Sequence, residues 1–267
     1  MSSPVRVCVF GFGEAGSPIA GDLAVAGVEV HGYDPADVAT PPGVKRHDDP
    51  RAAVAGADLV LGITTAADAA TALTQALDAI PGGAVYADQA TASAGLQRRL
   101  AAIAADAGLG FTDVALMSPV PGTGLRTPAL ASGPSARAFV ATMAPLGMPV
   151  EHAGDESGMA ATRKLLRSVV MKGLAAVVIE SMLAAEAAGL TDETWDNIVG
   201  QLSEADDALI RRLVTGTGDH AARRLHEMEA TAELLTDLGV EPTMTRATVA
   251  QLQHVAADPS ALPGLPD

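Results

Sequence analysis

Two features of this sequence combine residue type and spacing in a way that points to chemistry: a glycine-rich turn near the start and a lysine in a long apolar helix. Val7-Cys8-Val9-Phe10 runs directly into Gly11-Phe12-Gly13-Glu14-Ala15-Gly16, a GxGxxG motif between an apolar run of strand length and an alanine-rich segment. In that setting Gly11 permits the tight turn, Gly13 lets a pyrophosphate approach the backbone, and Gly16 lets helix and strand pack closely, with the helix N-terminus facing the phosphates. All six residues of the loop, Phe12, Glu14 and Ala15 included, are therefore candidate cofactor-binding positions. Asp34 ends the next apolar run, 18 residues after Gly16. A carboxylate there accepts hydrogen bonds from ribose hydroxyls and repels a 2′-phosphate, so NAD is expected rather than NADP. The first basic residues after Asp34 are Lys45 and Arg46.

The second feature is Lys164, with Ser168 and Lys172 following at intervals of four on an otherwise apolar stretch. On a helix these share one face, and lysines in such surroundings need a polar partner. An interdomain salt bridge is the plain structural alternative for Lys164, and Lys172 has Glu180 or a partner subunit as possible counterparts. Arg223, Arg224 and His226 form a further polar group, though paired arginines on a helix are more often solvated or salt-bridged. No histidine pair has metal-ligand spacing, so no metal is expected.

These residues need a scaffold, and the pattern of the chain supplies one. Short β-branched runs at Val5–Phe10, Val28–Tyr33, Leu59–Thr64, Ala84–Ala87 and Gly110–Ala115, with a weaker piece at Val44–His47, alternate with helical stretches at Ala15–Ala26, Ala66–Ala79 and Ser93–Ala107. That is the signature of βαβ units wound right-handedly around a parallel sheet. Pro128–Gly133, Ala136–Leu146 and Met148–His152 look like a final βαβ addition. The expected fold is thus an α/β, Rossmann-type, doubly wound parallel sheet over residues 1–155, followed by an all-α domain over 156–267. A single helix over Ser157–Ala188 enters that domain, and about 32 residues at 1.5 Å each reach roughly 48 Å. Further helices are expected at Glu193–Leu213, His220–Leu238 and Met244–Ala256, with loops at Thr215–Asp219 and Gly239–Pro242 and a frayed Pro-rich end from Pro259 to Asp267.

Composition narrows the function classes. The net charge of −15 disfavours nucleic acid and anionic membrane surfaces as partners. The single cysteine, Cys8, excludes an intramolecular disulfide and suits a reducing compartment. Met1–Pro4 lacks the character of a signal peptide, and the longest apolar stretch, Val169–Ala188, is interrupted by Lys172, Glu180 and Glu186. A cytoplasmic protein with no membrane span is expected. The wide apolar arc of the long helix calls for burial on several sides, and a homodimer formed through the helical domain would provide it.

Gly11 to Pro18, read as GxGxxGxP, resembles the opening of the β-hydroxyacid dehydrogenase family, which includes 3-hydroxyisobutyrate and 6-phosphogluconate dehydrogenases. Tyr86-Ala87-Asp88-Gln89-Ala90-Thr91 resembles that family's strand and loop bearing a threonine near the nicotinamide, and Ile63-Thr64-Thr65 its loop over the ribose. Gly158 to Ser168 is similar to its catalytic helix. The resemblance covers nearly the whole chain and implies NAD(P)-dependent hydride transfer on a small hydroxyacid, alcohol or carbonyl substrate. Lys164 would be the general acid/base with Ser168 beside it, and Thr91, Ser118, Arg167, Lys172 and His226 would meet the substrate. A lysine partly desolvated beside an oxidised nicotinamide has a depressed pKa, which suits it to take up the proton as hydride leaves carbon. The sequence departs from the family in two places. Arg167 and Ser168 replace paired asparagines, and Met117 stands where a carboxylate-binding serine is usual, with Ser118 one position late. The variant loop, the Lys-Leu-Leu-Arg-Ser helix and the Arg223-Arg224 segment resemble a 6-phosphogluconate dehydrogenase-like branch whose substrate the name does not define. The alternatives are an imine reductase of the same architecture, which usually lacks the lysine, and a non-catalytic NAD-binding sensor.

Overall fold

This computed structural model describes residues 5–266; Met1–Pro4 and Asp267, part of the segments read above as a polar start and a frayed end, lie outside them. From Arg6 to Gly154 the chain alternates strand and helix. The strands are β1 (Arg6–Phe10), β2 (Glu29–Tyr33), β3 (Lys45–Arg46), β4 (Leu59–Gly62), β5 (Val85–Asp88), β6 (Gly110–Leu116), β7 (Ala129–Ser132) and β8 (Val150–Gly154). Between them lie α1 (Gly16–Val25), α2 (Pro50–Val54), α3 (Ala69–Thr74), α4 (Ala94–Asp106) and α5 (Ala136–Met143). The short α2 is absent from the sequence reading; Asp49 caps it by accepting from Arg51 N, and Pro50 suits its first turn.

All eight strands form one sheet in the order β3-β2-β1-β4-β5-β6-β7-β8. Five consecutive pairings from β3 to β6 are parallel, which is the doubly wound arrangement expected. One pairing departs from the parallel arrangement. β7 runs antiparallel to β6, with Val114 opposite Ala131, because the Met117–Pro128 connection returns the chain along the same edge. β7, α5 and β8 do form the anticipated βαβ addition, β7 and β8 being parallel.

Strand periodicity divides the core into two layers. Val7, Val9, Leu59 and Leu61 face one side, where Ile19 and Leu23 of α1 and Phe139 and Met143 of α5 cover them. Cys8, Phe10, Val60 and Tyr86 face the other, under Ala53, Leu73 and Leu100. Burying each large apolar side chain of this kind stabilises the fold by roughly 1.5–3 kcal/mol. Chain order reverses at β1, which lies between β2 and β4, so a crevice opens at the carboxyl ends of those strands.

The chain divides into two compact units, the first ending at Arg167 and the second beginning at Ser168. The helix α6 (Met159–Ala188) begins in the first and continues into the second, which also holds α7 (Thr191–Ser203), α8 (Asp207–Asp237) and α9 (Thr243–Ala257). The expected loop at Thr215–Asp219 is helical instead, and the break falls before Asp207. Asp206 caps α8 by accepting from Leu209 N at 2.8 Å, and Thr215 and Thr217 bond back to the carbonyls of Arg211 and Leu213. The two nearby glycines leave only a kink, at His220 (φ −130°, ψ 22°). Pro259–Ala261 forms one 3₁₀ turn capped by Asp258.

Glu180 is buried in the second unit. Its carboxylate accepts from Met244 N at 2.7 Å and from Thr245 N and Oγ1 at 2.8 and 2.7 Å, capping α9. Glu180 therefore serves α9 and is not the counterion considered for Lys172. By length and composition alone α6 is long and apolar enough to cross a membrane. Leu166, Val169 and Val170 on it are 65, 71 and 66 % exposed, so its apolar faces are uncovered within one chain.

Candidate active site

A cleft of about 560 Å³ opens in the first unit at the carboxyl ends of β1, β2, β4, β5 and β6. At one end lies the glycine turn. Gly11 takes φ +97°, and a Cβ there would sit 2.2 Å from the Ile63 carbonyl oxygen. A Cβ on Gly16 would sit 1.9 Å from the Gly11 carbonyl oxygen, so both positions require glycine for contact with neighbouring backbone. Gly13 differs: it lines the cleft, and nothing lies within 4 Å of where its Cβ would be. Open space over Gly13 beside the N-terminus of α1 is where a pyrophosphate fits.

Glu14 and Ala15 also line the cleft. Phe12 contributes differently from the expectation. Its ring is buried against Gly32, while its backbone N–H donates to Asp34 Oδ2 at 2.7 Å. Asp34 Oδ1 accepts from Ala36 N at 2.8 Å, so the carboxylate is held rigidly at the cleft edge with acceptor capacity remaining for ribose hydroxyls.

Arg46, distant from Asp34 in sequence, is brought beside it because β3 pairs with β2, Arg46 opposite Gly32. Its guanidinium donates to the carbonyl oxygens of Asp34 at 3.0 Å, Ala36 at 2.6 Å and Val38, and lies 5.9 Å from the centroid of the Phe12 ring. The arginine thus shapes the loop that presents Asp34.

Thr64 and Thr65 line the cleft after β4, and Thr65 Oγ1 donates to Asp68 Oδ2 at 2.6 Å. Thr91 and Lys164 meet at the other end, where Lys164 Nζ donates to Thr91 Oγ1 at 2.8 Å. The position of Lys164 follows from how α6 starts. Asp113 at the heart of β6 is buried, and its Oδ2 accepts from Gly158 N and Ala161 N, each at 3.1 Å, and from Ser132 Oγ at 3.0 Å. Ser132 Oγ accepts in turn from Ala160 N at 2.9 Å. Two strands thereby grip the first turn of the helix, and Lys164 follows one turn later. Burial pushes the Asp113 carboxyl above its ordinary range, against the pull of its hydrogen bonds from Ala161, Ser132 and the neighbouring backbone.

Ser118 lines the cleft, whereas Met117 packs with Ala115, Ala153 and Ala160, so the serine displaced by one position is the one presented. Arg167 donates to the Met117 carbonyl oxygen and steadies that loop. Ser168, Lys172 and His226 belong to the second unit, where Ser168 is half-buried and the other two are exposed. Arg223 is paired with Glu227 at 2.6 Å and Arg224 donates to Thr217, the ordinary structural outcome for helical arginines. No group of metal-ligating side chains occurs among the described residues.

Sequence reasoning missed three residues that line or support the cleft. Arg46 and Asp68 depend on tertiary placement. Gln89, directly after β5, is 4 % exposed and lines the cleft; of the segment from Tyr86 to Thr91 only the threonine was singled out from the sequence.

The glycine turn, the carboxylate at the end of β2 and the hydroxyls along β4 and β5 together fit a dinucleotide. Comparison with known proteins agrees. Residues 6–133 match the family described as the NAD binding domain of 6-phosphogluconate dehydrogenase, and residues 185–255 match a domain of unknown function. The 2-(hydroxymethyl)glutarate dehydrogenase of Eubacterium barkeri is 23% identical over 76% of this chain and 71% of its own length. An uncharacterized 28.5 kDa protein of Methanothermus fervidus is 29% identical over 41% of this chain, an alignment that spans only 43% of that relative. Among solved structures, an imine reductase from Myxococcus stipitatus in complex with NADP+ superposes with a TM-score of 0.80 at 16% identity, covering 95% of this chain and 94% of that one. A conserved hypothetical protein from Sinorhizobium meliloti is 28% identical over 98% of this chain and 92% of its own, with a TM-score of 0.63. The class defined by fold and cleft is an NAD(P)-binding oxidoreductase. Its first unit is similar to the NAD binding domain of 6-phosphogluconate dehydrogenase, and residues 185–255 are similar to a domain whose function is unknown.

Proposed function

We propose that the protein transfers a hydride between NAD and a small substrate carrying a hydroxyl or carbonyl group, with Lys164 as general acid/base. The observation that carries this reading is the bond from Lys164 Nζ to Thr91 Oγ1, 2.8 Å, in the same cleft as the glycine turn. Gly13, Glu14 and Ala15 would hold the pyrophosphate, Asp34 the adenosine ribose, and Thr64 and Thr65 the second ribose. Bound there, the nicotinamide supplies hydride-accepting or hydride-donating chemistry. The chain's own part is proton handling. In oxidation, neutral Lys164 takes the substrate hydroxyl proton at Nζ while Thr91 Oγ1 accepts one of its N–H bonds and fixes its direction. In reduction the ammonium returns that proton to the carbonyl oxygen. Ser118 lines the cleft and Arg167 holds the loop beside it, where a substrate carboxylate would be met, and the Eubacterium relative's named substrate is a hydroxyacid.

NAD is favoured over NADP because Asp34 is fixed at the cleft edge and Arg46, beside it, gives three of its five N–H donors to backbone carbonyls. A phosphate on the ribose would meet the Asp34 carboxylate, which repels it.

Imine reduction is the second reading. The named imine reductase among the structural neighbours supports it, as does the absence of the usual carboxylate-binding serine at Met117. Lys164 favours the first. The two are separated by assaying NADH oxidation with panels of keto acids, ketones and cyclic imines, for the wild type and Lys164→Met. Carbonyl reduction abolished in the variant supports the proposal; imine reduction that survives in the variant refutes it.

We also propose a homodimer that covers the apolar faces of α6 and its neighbours, where Ile210 and Leu213 are likewise more than half exposed. Sedimentation equilibrium giving a monomer at micromolar concentration would overturn this.

A further inference from the structure

Gln89 has an amide group that the fold places with care and leaves unsatisfied. Its backbone is fixed: Gln89 N donates to the Gly62 carbonyl oxygen at 2.8 Å, continuing the β4–β5 ladder by one residue, and the next N–H, of Ala90, is taken by Asp88 Oδ1 at 3.2 Å. Its side chain is 96 % buried, being 4 % exposed, and lines the cleft. Neither Oε1 nor Nε2 has a hydrogen-bond partner among the described residues. Buried amides are almost always paired, so a donor and an acceptor held together without partners on a ligand-sized cleft mark a place where a ligand supplies both.

The complement of a primary amide is a group with a donor and an acceptor side by side in one plane. Gln89 is two residues from Thr91, the partner of Lys164, and belongs to the end of the cleft reached after Gly13, Thr64 and Thr65. At that end, the dinucleotide of the proposed function, on which this inference rests, has one such group: the carboxamide on the nicotinamide ring. We propose that Gln89 reads that carboxamide through a reciprocal pair of hydrogen bonds, one given from Nε2 and one accepted at Oε1. The pair fixes the rotation of the ring relative to Thr91 and Lys164. Gln89 is accordingly a cofactor-orienting residue, and its chemistry distinguishes a carboxamide from ring substituents of similar size.

The test measures binding, with no turnover. NADH, its reduced 3-acetylpyridine analogue, in which a methyl replaces the amide nitrogen, and ADP-ribose, which lacks the ring, are each titrated into wild-type protein and Gln89→Leu. Wild type is expected to bind NADH about ten-fold tighter than the acetylpyridine analogue, a ratio that collapses toward one in the variant, with ADP-ribose affinity the same in both proteins. Equal affinity of wild type for NADH and the analogue overturns the proposal, and this arm needs no variant. So does a Gln89→Leu protein that keeps the wild-type preference. If ADP-ribose binds but the ring discrimination is absent, the Gln89 assignment alone fails; if neither ADP-ribose nor NADH binds, the dinucleotide reading fails with it.

Discussion

Lys164 and Thr91, 73 residues apart in sequence, are joined by a 2.8 Å hydrogen bond from ammonium nitrogen to hydroxyl oxygen. One comes from the first turns of α6 and the other from the loop after β5, so the bond ties the helix to the sheet edge that lines the cleft. Thr91→Val removes the acceptor while keeping the side-chain shape. Turnover is expected to fall by about ten-fold, with NADH affinity within about two-fold of wild type. Steady-state kinetics beside a fluorescence titration separate the two effects; a drop confined to affinity would show that Thr91 serves the cofactor and not the lysine.

Asp34 and Arg46 make a separable prediction about cofactor choice. Asp34→Ser removes the carboxylate that opposes a 2′-phosphate, so NADPH affinity should rise by about ten-fold while NADH affinity falls. Paired dissociation constants for the two cofactors check this. An unchanged NADH-to-NADPH ratio would remove Asp34 from the ribose site.

How far the site was legible follows from these residues. GxGxxG and Asp34 were legible because each is local: a turn that requires glycine between a strand and a helix, and a carboxylate where the next strand ends. Lys164 was legible because a lysine in an apolar helix needs a partner, but that partner was not. Thr91 was singled out by resemblance, and its bond to Lys164 requires the fold. Arg46 was dismissed because it lies far along the chain from Asp34, yet the β2–β3 register returns it to the same loop. Gln89 lay in the segment singled out by resemblance, but a glutamine there is ordinary until its burial is known. In the second unit the loop expected at Thr215–Asp219, which holds Gly216 and Gly218, is helical instead. The Asp206 cap starts the helix, and both glycines are carried within it with only the kink at His220.

Asp88 predicts a pH-dependence of stability. Burial pushes its carboxyl up to about 6, despite hydrogen bonds from Gln97 Nε2 at 2.7 Å and Ala90 N, with Asp113 nearby adding to the rise. A group whose folded pKa lies above its unfolded one favours the folded state most below the unfolded value, near 4, and that advantage is lost as pH rises through about 6. Asp88→Asn removes the titration and keeps an oxygen for Gln97. Relative to wild type, the variant should gain stability between pH 4 and 7, by an amount on the order of 3 kcal/mol at most. Denaturant melts at pH 4.5 and 7.5 measure it, and a difference between the two proteins that does not change with pH contradicts the account.

Glu180 predicts the opposite sign in the second unit. Its burial opposes ionisation, but hydrogen bonds from the Thr245 hydroxyl and from Met244, Thr245 and Thr243 backbone outweigh it and hold its carboxyl below the ordinary range. The stability it contributes is present above the usual carboxylate pKa and is lost as pH falls through its depressed value. Glu180→Ala uncaps α9, and a cost of roughly 1–3 kcal/mol is expected at neutral pH. Thermal melts report it; a variant as stable as wild type would mean that α9 holds without the cap.

The claim on which the rest depends is that the glycine turn binds a dinucleotide. It is tested most directly by titrating NADH into wild type and Gly13→Trp, following nicotinamide fluorescence and melting temperature. Nothing lies within 4 Å of where a Cβ on Gly13 would be, so the backbone there tolerates a side chain, and the variant is expected to melt like wild type in the absence of cofactor. Tight NADH binding and a raised melting temperature in wild type, both lost in Gly13→Trp, are the predicted result; no binding in wild type, or equal binding in the two, would contradict it.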